Sequence, residues 1–231
     1  MLQDLRRTLR SEGMVAHPIK TRAPYLRSYQ FAPDVVFDVG VDKGTAWLYR
    51  SFPDAQFVLV DPQKHSAEKV RERDVLDSFH FHATALGAHE GKATLMVPHS
   101  DKGEEKGMAS LLRRTDPAAA TFIKTEKHYV PVKRLDDIAL AYSGRVGLKI
   151  DTEGSELDVL KGAQDTLKRC DFVILKLSNT QRFAGVGLPS QSVALLAEAG
   201  LEWRDVLHTG SGPGKKAHPR FMNVLFTRWT T

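Results

Sequence analysis

The chain has a single cysteine, Cys170, among its 231 residues. Neither a disulfide framework nor a cysteine-based metal cluster can therefore form within it. An isolated cysteine in an apolar context is typical of a reducing compartment, and we expect a cytoplasmic location. No segment reaches the roughly 18 consecutive apolar residues that a membrane-spanning helix needs.

Residues 1–30 are expected to form an N-terminal helical extension. The first ten residues lack the apolar core of a signal peptide, and their leucines and arginines fall on opposite faces of a predicted helix. We expect this helix to pack against the domain. A weak contact with a membrane surface is the alternative.

Long runs of one charge are missing as well. The net charge of +5 comes from lysines and arginines that are spread along the chain. This pattern is more typical of a solvated surface than of a nucleic-acid-binding face. The Asn-Pro-Pro-aromatic motif of base-methylating enzymes is also absent, so no specific nucleic-acid partner is predicted.

Short apolar runs alternate with helical patterns through most of the chain, which predicts an α/β fold with a mostly parallel seven-stranded sheet and helices on both faces. A chain of 231 residues with 42% hydrophobic content suits one core, and we predict a single domain over residues 1–231. Strands are predicted at residues 35–40, 56–60, 79–83, 146–151, 172–177, 201–207 and 221–228. Helices are predicted at residues 43–51, 64–76, 155–168 and 190–199.

Residues 87–138 interrupt this alternation and are predicted to be an insertion after the third strand. Short strands are expected at residues 91–98 and 128–133. Between them, residues 99–121 are polar and have little periodicity. A long segment of this kind at the carboxyl edge of a parallel sheet favours an acceptor-binding lid; a plain mobile insertion is the alternative.

The first strand leads into a glycine turn that is typical of ligand sites. Gly40 and Gly44 allow positive φ and a close approach of the backbone to a ligand, and the predicted helix start offers N–H groups to a carboxylate. Asp38 places a carboxylate at the end of the strand. The dinucleotide fingerprint G-x-G-x-x-G is missing, because Asp42 stands at its second glycine and would repel a pyrophosphate.

The second strand ends in Asp61, about twenty residues after the first glycine. An acid at this place accepts hydrogen bonds from ribose hydroxyls in two-strand nucleoside sites. The alternative is that Asp61 caps the helix that follows Pro62. Because the glycine turn lies upstream at the right distance, the pattern favours a nucleoside ligand.

The segment 146–163 has the densest concentration of chemical groups. A strand ends in Asp151, Glu153 follows in a turn, and Ser155 with Asp158 predicts a capped helix. The cap explains Ser155 but not the two carboxylates before it. Such groups at the tip of a buried strand are costly unless they bind something.

This segment resembles the signature of FkbM-type methyltransferases. The likeness lies in Leu148-Lys-Ile-Asp-Thr-Glu-Gly-Ser-Glu156 and Val159-Leu-Lys-Gly-Ala163, and extends to Phe37-Asp-Val-Gly40, Asp61-Pro62, Ala85-Leu-Gly87 and Val132-Lys-Arg-Leu-Asp136. It implies a Rossmann-like domain that binds S-adenosylmethionine and methylates a hydroxyl of a sugar, glycolipid, polysaccharide or related natural product. The cofactor-binding positions that match are Asp38, Gly40, Gly44, Asp61 and Ala85. Lys176 departs from the family pattern, which often has an acid after the fifth strand.

Methyl transfer to a hydroxyl needs positioning and a base within reach of the acceptor oxygen. Asp151 is the first candidate base, and Glu153 is an orienting partner or an alternate base. Lys149 and His128 are weaker candidates. Asp151 and Asn179 are oxygen ligands at neighbouring strand tips, which permits a divalent ion without requiring one.

Two other classes of protein remain open at this point. One is a non-catalytic binding protein of the same fold, for which Lys176 is the indication. The other is a nicotinamide-dependent oxidoreductase, which the absent phosphate-binding glycine disfavours.

Overall fold

The computed structural model describes residues 2–15, 17–210 and 218–229. The strands are β1 (Val35–Val39), β2 (Gln56–Val60), β3 (His80–His82), β4 (Ala85–Leu86), β5 (Gly91–Ser100), β6 (Gly103–Glu104), β7 (Lys124–Lys133), β8 (Val146–Ile150), β9 (Cys170–Ser178), β10 (Leu201–Gly210) and β11 (Phe221–Arg228). The α-helices are α1 (Leu2–Ser11), α2 (Ala23–Arg27), α3 (Ala46–Tyr49), α4 (His65–Glu72), α5 (Leu135–Ala139), α6 (Glu156–Lys161), α7 (Gln164–Lys168) and α8 (Pro189–Glu198).

The main sheet has seven strands in the order β10-β11-β9-β8-β1-β2-β3, and it includes all seven predicted strands. It is mixed, because β11 runs antiparallel to both of its neighbours, β9 and β10. The central strands β1 and β8 are buried along their whole length. Their nearly continuous apolar sequence is what a strand covered on both faces requires.

Alternate residues of the central strands contribute to two separate cores. Phe37 and Ile150 lie in the core on one face of the sheet, whereas Val36 and Ile174 lie in the core on the other. The period-2 alternation of a strand produces this division. The expected α/β class with two covered faces is confirmed.

The helices begin and end differently from the prediction. The helix predicted at 43–51 is only α3, because Asp42 and Gly44 have left-handed φ values of 46° and 84° and keep the chain in a turn. The helix predicted at 155–168 is divided into α6 and α7. At the division, a Cβ on Gly162 would lie 2.1 Å from the carbonyl oxygen of Gly87, so the chain passes too close for a larger residue.

The N-terminal helix α1 is present, but Leu5 is 56% exposed, so the expected packing of this leucine against the domain is wrong. Among the described helices, none is both long and apolar enough to cross a membrane.

The insertion contributes three strands to a second sheet, in which β4, just before the insertion, is the fourth, in the order β4-β7-β5-β6. The two predicted short strands are longer than expected, and β5 and β7 pair antiparallel over most of their length. The stretch 99–121, which we call the lid segment, is more regular than its sequence indicated. It contains β6 and two short 3-10 helices, Lys106–Met108 and Pro117–Thr121.

Candidate active site

A row of polar side chains and one glycine crosses the tips of five adjacent strands. Asn223 on β11 is paired with Lys176 on β9. One residue beyond the last register pairs, Lys176 lies beside Asp151, Asp151 beside Gly40, and Gly40 beside Asp61. Residues at equal register point to the same face of a sheet. The sheet therefore brings Asp61, Gly40 and Asp151, which are far apart in sequence, to one edge.

A cavity of ≈ 530 Å³ opens at this edge. Its size lies within the range of small-molecule sites, about 300–1,000 Å³. Gly40, Gly44, Asp61, Ala85, Asp151 and Glu153 all line it, together with lid residues that include Lys106 and Ser110. One cavity is thus lined both by the predicted cofactor-binding residues, except Asp38, and by the two predicted catalytic residues.

The glycine turn is held close to the neighbouring strand. Gly40 has a φ of +78°, and a Cβ at this position would lie 1.8 Å from the carbonyl oxygen of Asp151. Gly44 has a φ of +84°, and its Cβ would lie 3.0 Å from Val70. Gly40 therefore requires glycine for both conformation and space, whereas Gly44 favours glycine through its conformation and has a tight side-chain contact besides.

Asp61 stabilises this turn. One carboxylate oxygen accepts hydrogen bonds from the backbone N–H groups of Val41 and Asp42 at 3.0 and 3.1 Å, and the other accepts from Gln63 N–H at 2.8 Å. Burial raises the pKa of Asp61, while these N–H groups oppose that shift. Helix α4 begins at His65 with Lys64 as its N-cap, so Asp61 is not the cap of that helix. A contact with ribose stays a prediction.

Asp38 is placed differently from the prediction. Its side chain is fully buried and is not among the described residues that line the cavity. One oxygen accepts a hydrogen bond from Lys149 Nζ at 2.8 Å, and the other accepts from the Tyr49 hydroxyl at 2.7 Å. Asp38 therefore positions Lys149, which itself lines the cavity.

Lys176 joins the two predicted catalytic carboxylates. Its Nζ lies 2.8 Å from Asp151 Oδ1 and 2.5 Å from Glu153 Oε1, and it lies over the ring of Phe221. Burial alone would lower the pKa of Lys176, but Asp151 and Glu153 raise it above its ordinary value. Where the family often has an acid after the fifth strand, this chain therefore has a charged lysine, Lys176, bonded to Asp151 and Glu153.

Glu153 is surrounded by cations. Besides Lys176, the guanidinium groups of Arg114 and Arg182 each lie 2.7 Å from its Oε2. Burial would raise the pKa of Glu153, but Lys176, Arg182 and Arg114 lower it to about 2. A carboxylate with so low a pKa is a poor base, so the geometry favours the orienting role of Glu153 over its alternate role as a base.

Asp151 is less constrained than Glu153. Its side chain is 27% exposed, against 12% for Glu153. Among the described residues, only Lys176 bonds its carboxylate, through Oδ1, and Oδ2 makes no hydrogen bond. An oxygen left in this state beside a cavity can accept a proton from a ligand.

The turn after β8 is closed by a residue that sequence reasoning missed. The Ser155 side chain makes no capping hydrogen bond, so the predicted Ser-x-x-Asp cap is wrong. Instead, the buried Glu156 carboxylate accepts hydrogen bonds from the N–H groups of Thr152 and Gly154. Burial raises the pKa of Glu156, and the N–H of Gly154 opposes that shift.

The weaker candidates lie away from the cavity. His128 is 55% exposed on β7, which makes it wrong as a base for this site. Asn179 is exposed, and its amide donates to Pro219 at 3.4 Å. The structure therefore does not bring Asn179 to Asp151 as a second metal ligand.

Two further polar atoms belong to residues that line the cavity. Thr152 Oγ1 and Asn223 Oδ1 are buried without a hydrogen-bond partner in the described part of the chain, and both residues line the cavity. Such groups are costly unless a ligand or water bonds them. No sequence signal marked Asn223, because the position of β11 beside β9 cannot be read from local pattern.

Fold and site together describe an α/β protein with a small-molecule cavity at the carboxyl edge of its sheet, beside a tight glycine turn. The model of the methyltransferase FkbM domain matches residues 38–209, and the chain belongs to that family. It is an S-adenosylmethionine-dependent methyltransferase, and S-adenosylmethionine is its cofactor. The glycine turn, the cavity volume and the unbonded polar atoms fit such a ligand.

Solved structures of methyltransferases are similar at low identity. Magnesium protoporphyrin IX methyltransferase from Synechocystis, with bound S-adenosylmethionine, is 9% identical, with 97% of this chain and 79% of that chain covered and a TM-score of 0.45. A TehB-like methyltransferase from Corynebacterium glutamicum is 8% identical, with 99% and 96% covered and a TM-score of 0.44. Aeropyrum pernix fibrillarin, with natively bound S-adenosyl-L-methionine, is 11% identical, with 96% and 73% covered and a TM-score of 0.43. Comparison with curated proteins gave no match.

Proposed function

We propose that this chain is an O-methyltransferase that acts on a hydroxyl of a sugar, glycolipid, polysaccharide or related natural product. The observation that carries the proposal is the free oxygen of Asp151 at the cavity, beside the charged amine of Lys176. A base and a cation at one point suit the removal of a hydroxyl proton and the stabilisation of the oxygen that remains.

The cofactor half of the cavity is formed by the turn that contains Gly40 and Gly44, by Asp61 and by Ala85. When bound, S-adenosylmethionine supplies an electrophilic methyl group. The turn positions its ligand through backbone groups that no Cβ obstructs, and Asp61 holds the turn in place. Asp38 does not line the cavity; it positions Lys149, which does, by accepting a hydrogen bond from its Nζ.

In the acceptor half, Asp151 Oδ2 takes the proton of the reacting hydroxyl. Lys176 has three N–H groups, of which Asp151 and Glu153 accept two. The third is left for the acceptor oxygen. Glu153 fixes the ammonium in this position, since Arg114 and Arg182 hold Glu153 in turn.

The unbonded oxygens of Thr152 and Asn223 support a hydroxyl-rich acceptor. Each can accept a hydrogen bond from a ligand hydroxyl, and leaving such an atom buried without a bond costs about 1–3 kcal/mol. An apolar acceptor would leave both unsatisfied. A sugar offers several donors at the spacing of adjacent carbon atoms.

The surroundings of the site complete the proposal. The lid segment, whose residues Lys106 and Ser110 line the cavity, covers the acceptor.

The ion pair between Lys176 and Asp151 favours a mechanism without a divalent ion over one in which Asp151 and Asn179 bind a metal. The single buried Cys170 is compatible with the reducing cytoplasm.

The experiment measures methyl transfer to a panel of sugars and glycolipids by the unmutated protein and by Asp151→Asn, with and without chelator. Loss of the base typically lowers the rate about 100-fold to 10,000-fold, and we expect this loss for Asp151→Asn in every active assay. The matched control is Asp158→Asn, because Asp158 is an exposed acid on α6. We expect this control to keep the unmutated rate.

Activity that survives chelator but not Asp151→Asn supports the direct base. Activity that chelator also abolishes selects the metal version. Full rate in Asp151→Asn would show that Asp151 is structural. Tight cofactor binding without transfer to any hydroxyl would favour the non-catalytic binding protein.

A further inference from the structure

We propose that Lys149 is the residue that recognises the carboxylate of the cofactor's methionine portion. The sequence alone marks Lys149 as no more than a weak candidate for a base. The structure places it at the floor of the cavity, two residues before Asp151 and on the same face of β8. A carboxylate in this cavity would be attracted to a cation that water cannot screen.

The hydrogen bonds of Lys149 leave donor capacity toward the cavity. An ammonium group has three N–H donors. One bonds Asp38 at 2.8 Å, and a second makes only a long contact of 3.4 Å with the carbonyl oxygen of Gly40. Since Lys149 lines the cavity, a ligand carboxylate next to the glycine turn can accept the remaining donor.

Lys149 is charged despite its burial. Burial alone would lower its pKa, but Asp38 and Asp151 raise it above the ordinary value. Asp38 is the one carboxylate bonded to the ammonium among the described residues, and its other oxygen accepts a hydrogen bond from the hydroxyl of Tyr49. This arrangement fixes the amine on the cavity side of the sheet.

A cation is needed here because the cavity is rich in acids. Asp42, Asp61, Asp151 and Glu153 all line it and would repel a free carboxylate. In the low dielectric of a cavity, a charge without a partner is costly. The ligand's carboxylate therefore requires a nearby positive group.

The other cations of the cavity are less suited to this role. Lys43 and Arg73 are exposed at the mouth, where water and salt screen them. Lys106, which is paired with Glu104 at 2.9 Å, has a side chain that is 38% exposed, against 9% for Lys149. Lys176 is buried, but it is already bonded to two carboxylates.

The start of α3, which the sequence suggested for the same carboxylate, is a weaker alternative. The helix has four residues, so few aligned peptide dipoles contribute at its N-terminus. The backbone N–H groups of Val41 and Asp42 in the preceding turn already bond Asp61. A side-chain cation is the better candidate.

The test is calorimetric and needs no methyl acceptor. The probes are S-adenosylhomocysteine and its decarboxylated analogue, which keeps the nucleoside and the amine. We expect the unmutated protein to bind S-adenosylhomocysteine at least tenfold more tightly, because a hydrogen bond to a charged group is lost in the analogue. In Lys149→Met, this preference falls to less than about threefold, while affinity for the analogue does not weaken.

Lys106→Met is the matched control, since it removes another lining cation by the same substitution, and it keeps the preference. If Lys149→Met does not fold because Asp38 is left without its partner, the double variant Asp38→Asn/Lys149→Met removes both charges and gives the same loss of preference. The proposal is overturned if the unmutated protein shows no preference, if the folded Lys149 variant keeps it, or if Lys106→Met loses it. These outcomes do not depend on whether the chain methylates a hydroxyl.

Discussion

Gly40 shows at the scale of a single residue how the site depends on close backbone contact. Its Cα faces the carbonyl oxygen of Asp151 so closely that no side chain fits. The turn after β1 and the tip of β8, which both line the cavity and which we propose hold the cofactor and the base, are therefore in direct contact. This contact is a stronger reason for glycine than the turn conformation alone.

We predict that Gly40→Ala abolishes cofactor binding and destabilises the fold by more than the strain of its positive φ, which costs an alanine about 1–2 kcal/mol. Gly185→Ala is the matched control, because Gly185 has a φ of +74° and no atom of the described residues lies within 4 Å of the added Cβ. Urea denaturation and calorimetry measure the two effects. If both variants lose equal stability and Gly40→Ala still binds S-adenosylhomocysteine normally, the close contact does not matter.

At the scale of elements, an ionic network links the lid segment to the sheet. Glu153 in the turn after β8 bonds Arg114 of the lid and Arg182 after β9. Asp116 of the lid is paired with Arg114, Arg182 and Arg220, the last just before β11. Burial of so many charges requires that each keep its partners.

We predict that acid weakens this network through Glu153. Its pKa is lowered from 4.5 to about 2 in the folded protein, so its contribution is complete above pH 4.5 and is lost as the pH falls toward 2. At about 1.4 kcal/mol per pKa unit, the loss is on the order of 3 kcal/mol. Urea denaturation from pH 5 to pH 2 should show this decrease in the free energy of unfolding. Glu153→Gln should be less stable at neutral pH and should lack the part of the decrease that comes from Glu153.

The control is Glu90→Gln, because Glu90 is exposed, and this variant should behave like the unmutated protein. If Glu153→Gln loses as much stability in acid as the unmutated protein does, protonation of Glu153 is not the cause.

We predict that the lid segment becomes more ordered when ligand binds. Its contact with the site includes the Ser110 hydroxyl, which donates to the carbonyl oxygen of Glu153 at 2.6 Å. Hydrogen exchange should show residues 99–121 less protected than β5 and β7 in the free protein, and slower exchange with S-adenosylhomocysteine and an acceptor. Strands β1 and β8 are the internal control. Full protection of 99–121 in the free protein would indicate a fixed insertion.

Across the whole molecule, the positions of the strands were predicted more accurately than the ends of the helices. The central parallel strands β1 and β8 are buried on both faces and nearly all apolar, which makes them the clearest signals, and short strand patterns also predicted the other five strands of the main sheet. Gly40, Asp61 and Asp151 were recognisable because turns and strand ends have local signals. Helix ends were less accurate, since the left-handed turn at Asp42 and the close passage at Gly162 depend on tertiary contacts.

The residues that contact each site residue could not be predicted from the sequence, because those contacts also depend on which strands are adjacent in the fold. Lys176 was noted as an exception, but its contact with Asp151 follows from the adjacency of β8 and β9. Asn223 entered the site because β11 returns antiparallel beside β9. Asp38 looked like a ligand residue, and only its buried contacts with Lys149 and Tyr49 gave it a positioning role.

We propose that this methyltransferase transfers its methyl group to a hydroxyl through Asp151. The most direct measurement incubates the protein with S-adenosylmethionine labelled at the methyl carbon and with the sugar and glycolipid panel, then locates the label by NMR. We predict a labelled methyl on a hydroxyl oxygen, at a rate that Asp151→Asn lowers at least 100-fold while its affinity for S-adenosylhomocysteine stays within about threefold of the unmutated value. A label on nitrogen or carbon, or an O-methyl product formed at full rate by Asp151→Asn, would contradict it.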